Sequence, residues 1–239
     1  MIRVVVAKHS DEIFQKYLMP YLDKLNILAA IVEDSDDIKD ESIFSKYNNG
    51  INSLVNNGLS ANDIVCFIHE DVKILDPDFV EKLEMVFNGK QDVGMLGVVG
   101  SSELLETCMW WNSKPEKLRG HIIQENSQTK YHLVKGKIGY FDDMVIVDGL
   151  FFAIRGKFLI DGLRFDDKTY QGFDFYDADM CFQVLELGYK VACVDILMEH
   201  RSIGEIINKD SWQENSKKLF TKFNNKYKFP ITIKSFNIK

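Results

Sequence analysis

The stretch Asp63-Ile64-Val65-Cys66-Phe67-Ile68-His69-Glu70-Asp71-Val72 runs an unbroken apolar segment straight into three polar residues. An apolar run without alternation is the pattern of a strand covered on both faces. Polar residues directly after such a strand lie at the carboxyl edge of a sheet, where open α/β sheets bind their ligands. Toward the N-terminus the pattern recurs twice. Ile2–Ala7 is followed by Lys8 and His9, and Ile27–Val32 by Glu33 and Asp34. An amphipathic helix opening at Asp11 fills the first gap, with Ile13, Phe14, Tyr17, Leu18 and Tyr21 on its apolar face. A second helix is predicted over Glu41–Asn57, with Ile43, Phe44, Tyr47, Ile51, Leu54 and Val55 on one side and Gly58 as its stop.

Toward the C-terminus, Asp76-Pro77 marks a helix start and Val93–Val99 a fourth strand. This alternation predicts a mainly parallel sheet with helices on both faces. The second half is less regular. Val145–Ile154 reads as a core strand interrupted at Asp148-Gly149. A helix follows over Asp177–Leu187, a strand over Lys190–Val194 and an amphipathic helix over Trp212–Tyr227. No linker composition and no repeat divides the chain, so one domain with a C-terminal helical extension is expected.

Composition excludes several classes. The 239 residues are 46% hydrophobic and 27% charged, enough for one sizeable core. No apolar run is long enough to cross a bilayer, and the N-terminal run is too short for a signal-peptide core. The expectation is a cytoplasmic protein. A net charge of −7 argues against a general nucleic-acid binder, although Lys217, Lys218, Lys222, Lys226 and Lys228 form a local basic cluster. Cys66, Cys108, Cys181 and Cys193 make no C-x-x-C pair and read as buried free thiols. The phosphate loops G-x-x-x-x-G-K-[ST] and G-x-G-x-x-G are absent, as is G-x-S-x-G.

The chemistry-bearing residues form four groups. Glu70 and Asp71 offer hard oxygen ligands for Mg²⁺ or Mn²⁺, or simply a solvated loop. Asp174, Asp177 and Asp179 surround a helix start beside Phe173, Phe175 and Tyr176. Helix capping accounts for one of them, whereas aromatic walls suit a general base. His200 beside Arg201 offers a metal ligand next to a phosphate contact. Trp110 and Trp111 cannot both face the core, so one indole is expected at the surface, either as a stacking platform or as a loop residue covering a hydrophobic edge.

Taken in order, three segments resemble a family 2 glycosyltransferase of the GT-A fold, in the subgroup related to a streptomycin-biosynthesis protein. They are Tyr47-Asn48-Asn49-Gly50-Ile51, the Asp63–Val72 stretch as a form of the D-x-D strand, and Gly172–Cys181 with Glu186–Val191 behind it, similar to E-D-x-D-L. His200-x-Ser202-x-Gly204 also fits. The resemblance covers the chain to about position 205 and implies a three-layer GT-A-like sandwich with a C-terminal helix. Residues 1–100 would form the nucleotide-binding half, 101–205 the acceptor half and 206–239 the extension.

The resemblance implies that Asp71 and His200 ligate Mn²⁺ or Mg²⁺ and that Asp177, with Asp174 nearby, is the base. Asp34, Asn48, Gly50, His69, Glu70 and Arg201 would lie around the nucleotide. Trp110, Trp111, Asp148, Gly149 and Asp179 would lie around the sugar and acceptor. It implies inverting transfer from a nucleotide-diphosphate sugar to a glycan, lipid-linked or small-molecule hydroxyl. The Lys and aromatic content of the helix from Trp212 onward permits docking on a membrane surface, although a solvated helix packed on the domain is the expected reading. Two positions depart from the family pattern: His69 stands where many relatives have the first aspartate, and Tyr176 replaces a glutamate. Those departures motivate an alternative, a non-catalytic carbohydrate- or nucleotide-binding module. A nucleotidyltransferase would need a glycine-rich phosphate loop near the N-terminus, which is absent.

Overall fold

The computed structural model describes residues 1–33, 42–125, 129–134, 136–202 and 209–238. The chain opens with β1 (Ile2–Ala7), whose successor splits into two short helices, α1 (Asp11–Tyr17) and α2 (Met19–Leu25). The Ser10 hydroxyl accepts from the Ile13 N–H and caps α1. Next come β2 (Ala29–Val32), α3 (Ile43–Asn56) and β3 (Ile64–Ile68). β1 pairs in parallel with both β2 and β3. The chain therefore moves outward to β2 and returns across β1 to β3. Right-handed crossovers in opposite directions put the connecting helices on opposite faces. β2, read from sequence as a buried strand, is instead the sheet edge, and Ile31 on it is exposed.

Beyond β3 lie β4 (Val72–Ile74), α4 (Phe79–Gly89), β5 (Val93–Gly97), β6 (Val99–Ser101) and β7 (Glu103–Leu104). The helix expected from Asp76 starts at Phe79 instead, because the Asp76 carboxylate is engaged by Lys82 and by the Asp78 N–H. The strand expected over Val93–Val99 divides after Gly97, where the chain leaves one sheet for another. The cause is the close approach of the segment after residue 145. A Cβ on Gly97 would lie 2.4 Å from Val147, and one on Gly100 would lie 2.1 Å from the Ile146 carbonyl oxygen.

The second half contributes the hairpin β8 (Leu118–Glu125) and β9 (Lys130–Val134), then β10 (Phe141–Met144), β11 (Ile146–Val147) and β12 (Phe151–Arg155). After α5 (Gly156–Ile160) come α6 (Tyr176–Glu186), β13 (Lys190–Cys193), β14 (Met198–Arg201), α7 (Lys209–Asn224) and β15 (Ile231–Thr232). The central sheet has the order β10-β13-β5-β12-β3-β1-β2. Only β10 and β12 run against their neighbours, so it is mainly parallel. A second sheet has the order β11-β6-β8-β14-β4, with β9 on β8. This is the expected α/β sandwich with a mainly parallel central sheet and a C-terminal helix.

The antiparallel entry of β12 positions the site. Phe151 lies opposite Ile68, the last residue of β3, so the Asp148–Leu150 turn before β12 arrives at the same edge as His69. The four cysteines are buried and free, as expected. α7 is fastened to α6: Phe223 meets Phe182 at 4.3 Å, and Lys222 donates to Asp179 at 2.6 Å and to Asp166 at 2.9 Å. Among the described residues no helix is long and apolar enough to cross a membrane.

Candidate active site

Segments far apart in sequence meet at the carboxyl edge of the central sheet. β3 ends at Ile68, and the His69 N–H donates to the Leu150 carbonyl at 3.1 Å. The chain turns at once, with the Val72 N–H bonding the His69 carbonyl at 3.3 Å. β14 runs antiparallel to β4 with His200 opposite Val72. The Arg201 N–H donates to the Asp71 carbonyl at 3.1 Å, which holds the two strand ends together. One ring nitrogen from His69, one from His200 and a carboxylate oxygen of Asp71 thereby lie within 4.8 Å of one another. His200 Nε2 is 3.4 Å from Asp71 Oδ1 and 3.4 Å from His69 Nδ1.

Charge in this cluster is distributed unevenly. Burial and the neighbouring His200 hold His69 down at about 4, so it is a neutral donor near pH 7. Burial opposes the charge on Asp71 and on His200. The contact between them wins, holding the carboxylate below its usual range and His200 above its own. Two imidazoles and an ionised carboxylate fit a divalent metal ion. His69 Nε2 is bonded to the Tyr176 hydroxyl, which fixes its ring so that Nδ1 faces the cluster. The ring of Phe173, 53% exposed, covers His69 at 5.3 Å.

Asp177 sits beside this cluster in the first turn of α6. Its carboxylate accepts from the Gly149 N–H at 2.9 Å and the Ala178 N–H at 2.8 Å. Burial, aided by the Asp148 charge, nevertheless pushes it up to about 7. Asp148 is itself held by the Trp110 indole N–H at 2.9 Å and the Leu150 N–H at 2.9 Å. Phe175, directly before α6, adopts φ of 71°, a left-handed conformation costly for a non-glycine residue, and packs on Trp212 at 5.3 Å. Burial alone raises Asp174 to about 6.

The remaining sequence candidates have neighbours within the fold. Asn48 donates to the Phe165 carbonyl at 2.9 Å and accepts from the Phe165 N–H at 2.9 Å, pinning a loop. A Cβ on Gly50 would lie 2.3 Å from Val5 Cγ1, so this glycine lets α3 close on β1. Glu70 accepts from the His9 N–H at 2.8 Å and the Ser10 N–H at 3.0 Å, tying the end of β3 to the end of β1. Asp179 is 1% exposed and holds Lys222, the Tyr170 hydroxyl and Gln183. Each of these four residues thus has a partner within the fold. The Arg201 guanidinium lies 5.9 Å from the Tyr17 ring. Trp110 is buried and Trp111 is 42% exposed, the division expected. Asp34 and Gly204 lie outside the described residues.

Gly149 has a close neighbour of its own in the fold. A Cβ there would lie 2.1 Å from the Tyr176 hydroxyl oxygen, and Tyr176 is buried and bonded to His69. Gly149→Ala is therefore expected to lower stability by about 1–3 kcal/mol, as overpacking does. Thermal denaturation checks this, and an unchanged melting temperature would remove the packing role.

Two residues of the cluster were not assigned their present roles from sequence: His69 as a third donor and Tyr176 as its anchor. The available signal was that both depart from the pattern the rest of the site follows. The chain belongs to the glycosyltransferase-like family, whose model matches residues 3–227. Among solved structures it is similar to GalNAc-T7 with UDP, GalNAc and Mn²⁺, at 9% identity and a TM-score of 0.53, over 89% of this chain. The chain spans 45% of the length of that protein. It is also similar to A197 from STIV, at 13% identity over 81% of each chain and a TM-score of 0.49. No curated protein matches the sequence.

Proposed function

We propose that this member of the family is a metal-dependent, inverting glycosyltransferase acting on a nucleotide-diphosphate sugar and an acceptor hydroxyl. The observation that carries the reading is the meeting of His69, Asp71 and His200 with the raised Asp177 carboxyl at one sheet edge. His69, Asp71 and His200 would hold the ion, which when bound supplies positive charge against the departing diphosphate. Two imidazoles beside one carboxylate favour Mn²⁺ over Mg²⁺, since Mg²⁺ prefers an all-oxygen shell. Asp177 takes the acceptor proton, and burial, aided by Asp148, keeps its carboxyl basic enough to do so. A single base acting opposite the leaving group gives inversion, the geometry that governs inverting glycosidases. The exposed rings of Phe173 and Trp111 offer faces for sugar rings.

The whole chain forms one catalytic unit in this reading, with residues 1–100 on the nucleotide side and 101–205 on the acceptor side. Incubation with a panel of nucleotide sugars, the UDP sugars among them, tests it. Slow release of free nucleotide is expected with Mn²⁺, less with Mg²⁺ and none with EDTA. Binding of a nucleotide sugar with no release under any condition would instead identify a non-catalytic binding module.

A further inference from the structure

A second cluster of metal-ligating side chains lies on the β8–β9 hairpin, built from residues that the catalytic reading does not use. β8 and β9 pair in regular register, with His121 opposite Val134 and Ile123 opposite His132. His121 and His132 are therefore diagonal neighbours on one face of the hairpin. Their ring nitrogens face each other, His121 Nδ1 to His132 Nε2 at 2.8 Å. The opposite nitrogen of His121, Nε2, is 2.7 Å from Asp195 Oδ1 in the connection between β13 and β14.

We propose that His121 and His132 bind one first-row transition-metal ion of the Zn²⁺, Ni²⁺ or Cu²⁺ class, with Asp195 as the carboxylate that orients His121. Metal–imidazole bonds of about 2.0–2.1 Å put two nitrogens at right angles roughly 2.9 Å apart. The observed separation matches that cis arrangement, and a tetrahedral ion needs only a slight opening. Asp195 accepts the Nε2–H of His121, which fixes the tautomer and leaves the Nδ1 lone pair aimed at His132. This carboxylate–histidine–metal order is the usual outer support of such sites. Lys82, the nearby cation, is engaged by the Asp76 carboxylate at 2.6 Å and by the Asp195 backbone carbonyl at 2.7 Å. The Asp195 carboxylate is thus left to His121. His121 is 12% exposed at its side chain and His132 is exposed, so the ion has access from solvent and water completes its shell.

Calorimetric titration of the full chain with Zn²⁺ tests the site. His132→Ala and His121→Ala are each expected to remove one equivalent of Zn²⁺ bound by the wild type. Asp71→Ala, which disrupts the other cluster, keeps that equivalent. Asp195→Asn keeps it at an affinity about 10–100-fold weaker. His132 is an exposed surface residue, so its loss leaves the fold and Mn²⁺-dependent turnover intact. No Zn²⁺ bound by the wild type would overturn the proposal, as would His132→Ala binding as many equivalents as the wild type.

Discussion

Asp71→Ala is expected to lower turnover of a nucleotide sugar by at least about 10²–10³-fold, the usual cost of removing one preorganised stabiliser of transition-state charge. Asp71 is the sole carboxylate in its cluster and the group whose contact shifts His200 toward its protonated form against the cost of burial. Without it, two imidazoles remain as donors, and Mn²⁺ affinity falls together with the rate. The effect has a pH signature. Asp71 strengthens proton binding at His200, and that proton competes with a metal ion, so wild-type Mn²⁺ affinity rises with pH. In the alanine variant that dependence shrinks. Mn²⁺ titration at several pH values, with nucleotide release measured alongside, gives both readings. Equal nucleotide affinity in the variant with and without EDTA is expected. The same equality in the wild type would defeat the metal assignment.

Asp177→Asn should retain nucleotide-sugar binding and lose transfer by about 10²–10⁴-fold, the range for removing a general base. The wild-type rate should climb with pH up to about 7 and then level, because only the ionised carboxyl accepts the acceptor proton. The asparagine variant should show no such climb. Stability moves the other way. The folded chain holds the Asp177 proton to about 7, against an ordinary value of 3.8, so it binds more protons than the unfolded chain between those limits. Asp177 therefore makes the fold less stable as pH rises through that window, and Asp177→Asn removes this slope. Steady-state rates and melting temperatures across pH 5–8 check both parts; wild-type turnover in the variant would reassign the base.

The parallel core was readable because Ile64–Ile68 is apolar on both faces and leaves no choice of element. The β8–β9 hairpin escaped notice for the opposite reason. Its strand is only half covered, and Gly120 and the polar residues within it blur any single period. The polar residues after β3 were visible as candidates, but which of them face one another depends on β14 lying beside β4, a pairing between segments remote in sequence. Asn48, Gly50 and Asp179 sat in motifs that suggested ligands. Their neighbours within the fold, Phe165, Val5 and Lys222, lie too far along the chain for any local pattern to reveal. His69 and Tyr176 looked like two separate losses from a motif. They are bonded to each other, so the two departures meet in one contact.

The ion pairs from Lys222 to Asp179 and Asp166 carry a practical lesson for anyone building hybrids of this enzyme family. Asp179 shares a helix with Asp177, so α7 is wired into the helix that carries the proposed base rather than appended to it. A donor sequence grafted in place of that helix brings no lysine of its own at this point unless one is chosen. Left without its counter-charge, the carboxylate at the heart of α6 would be stranded, and the graft and both aspartates must travel as one inheritance.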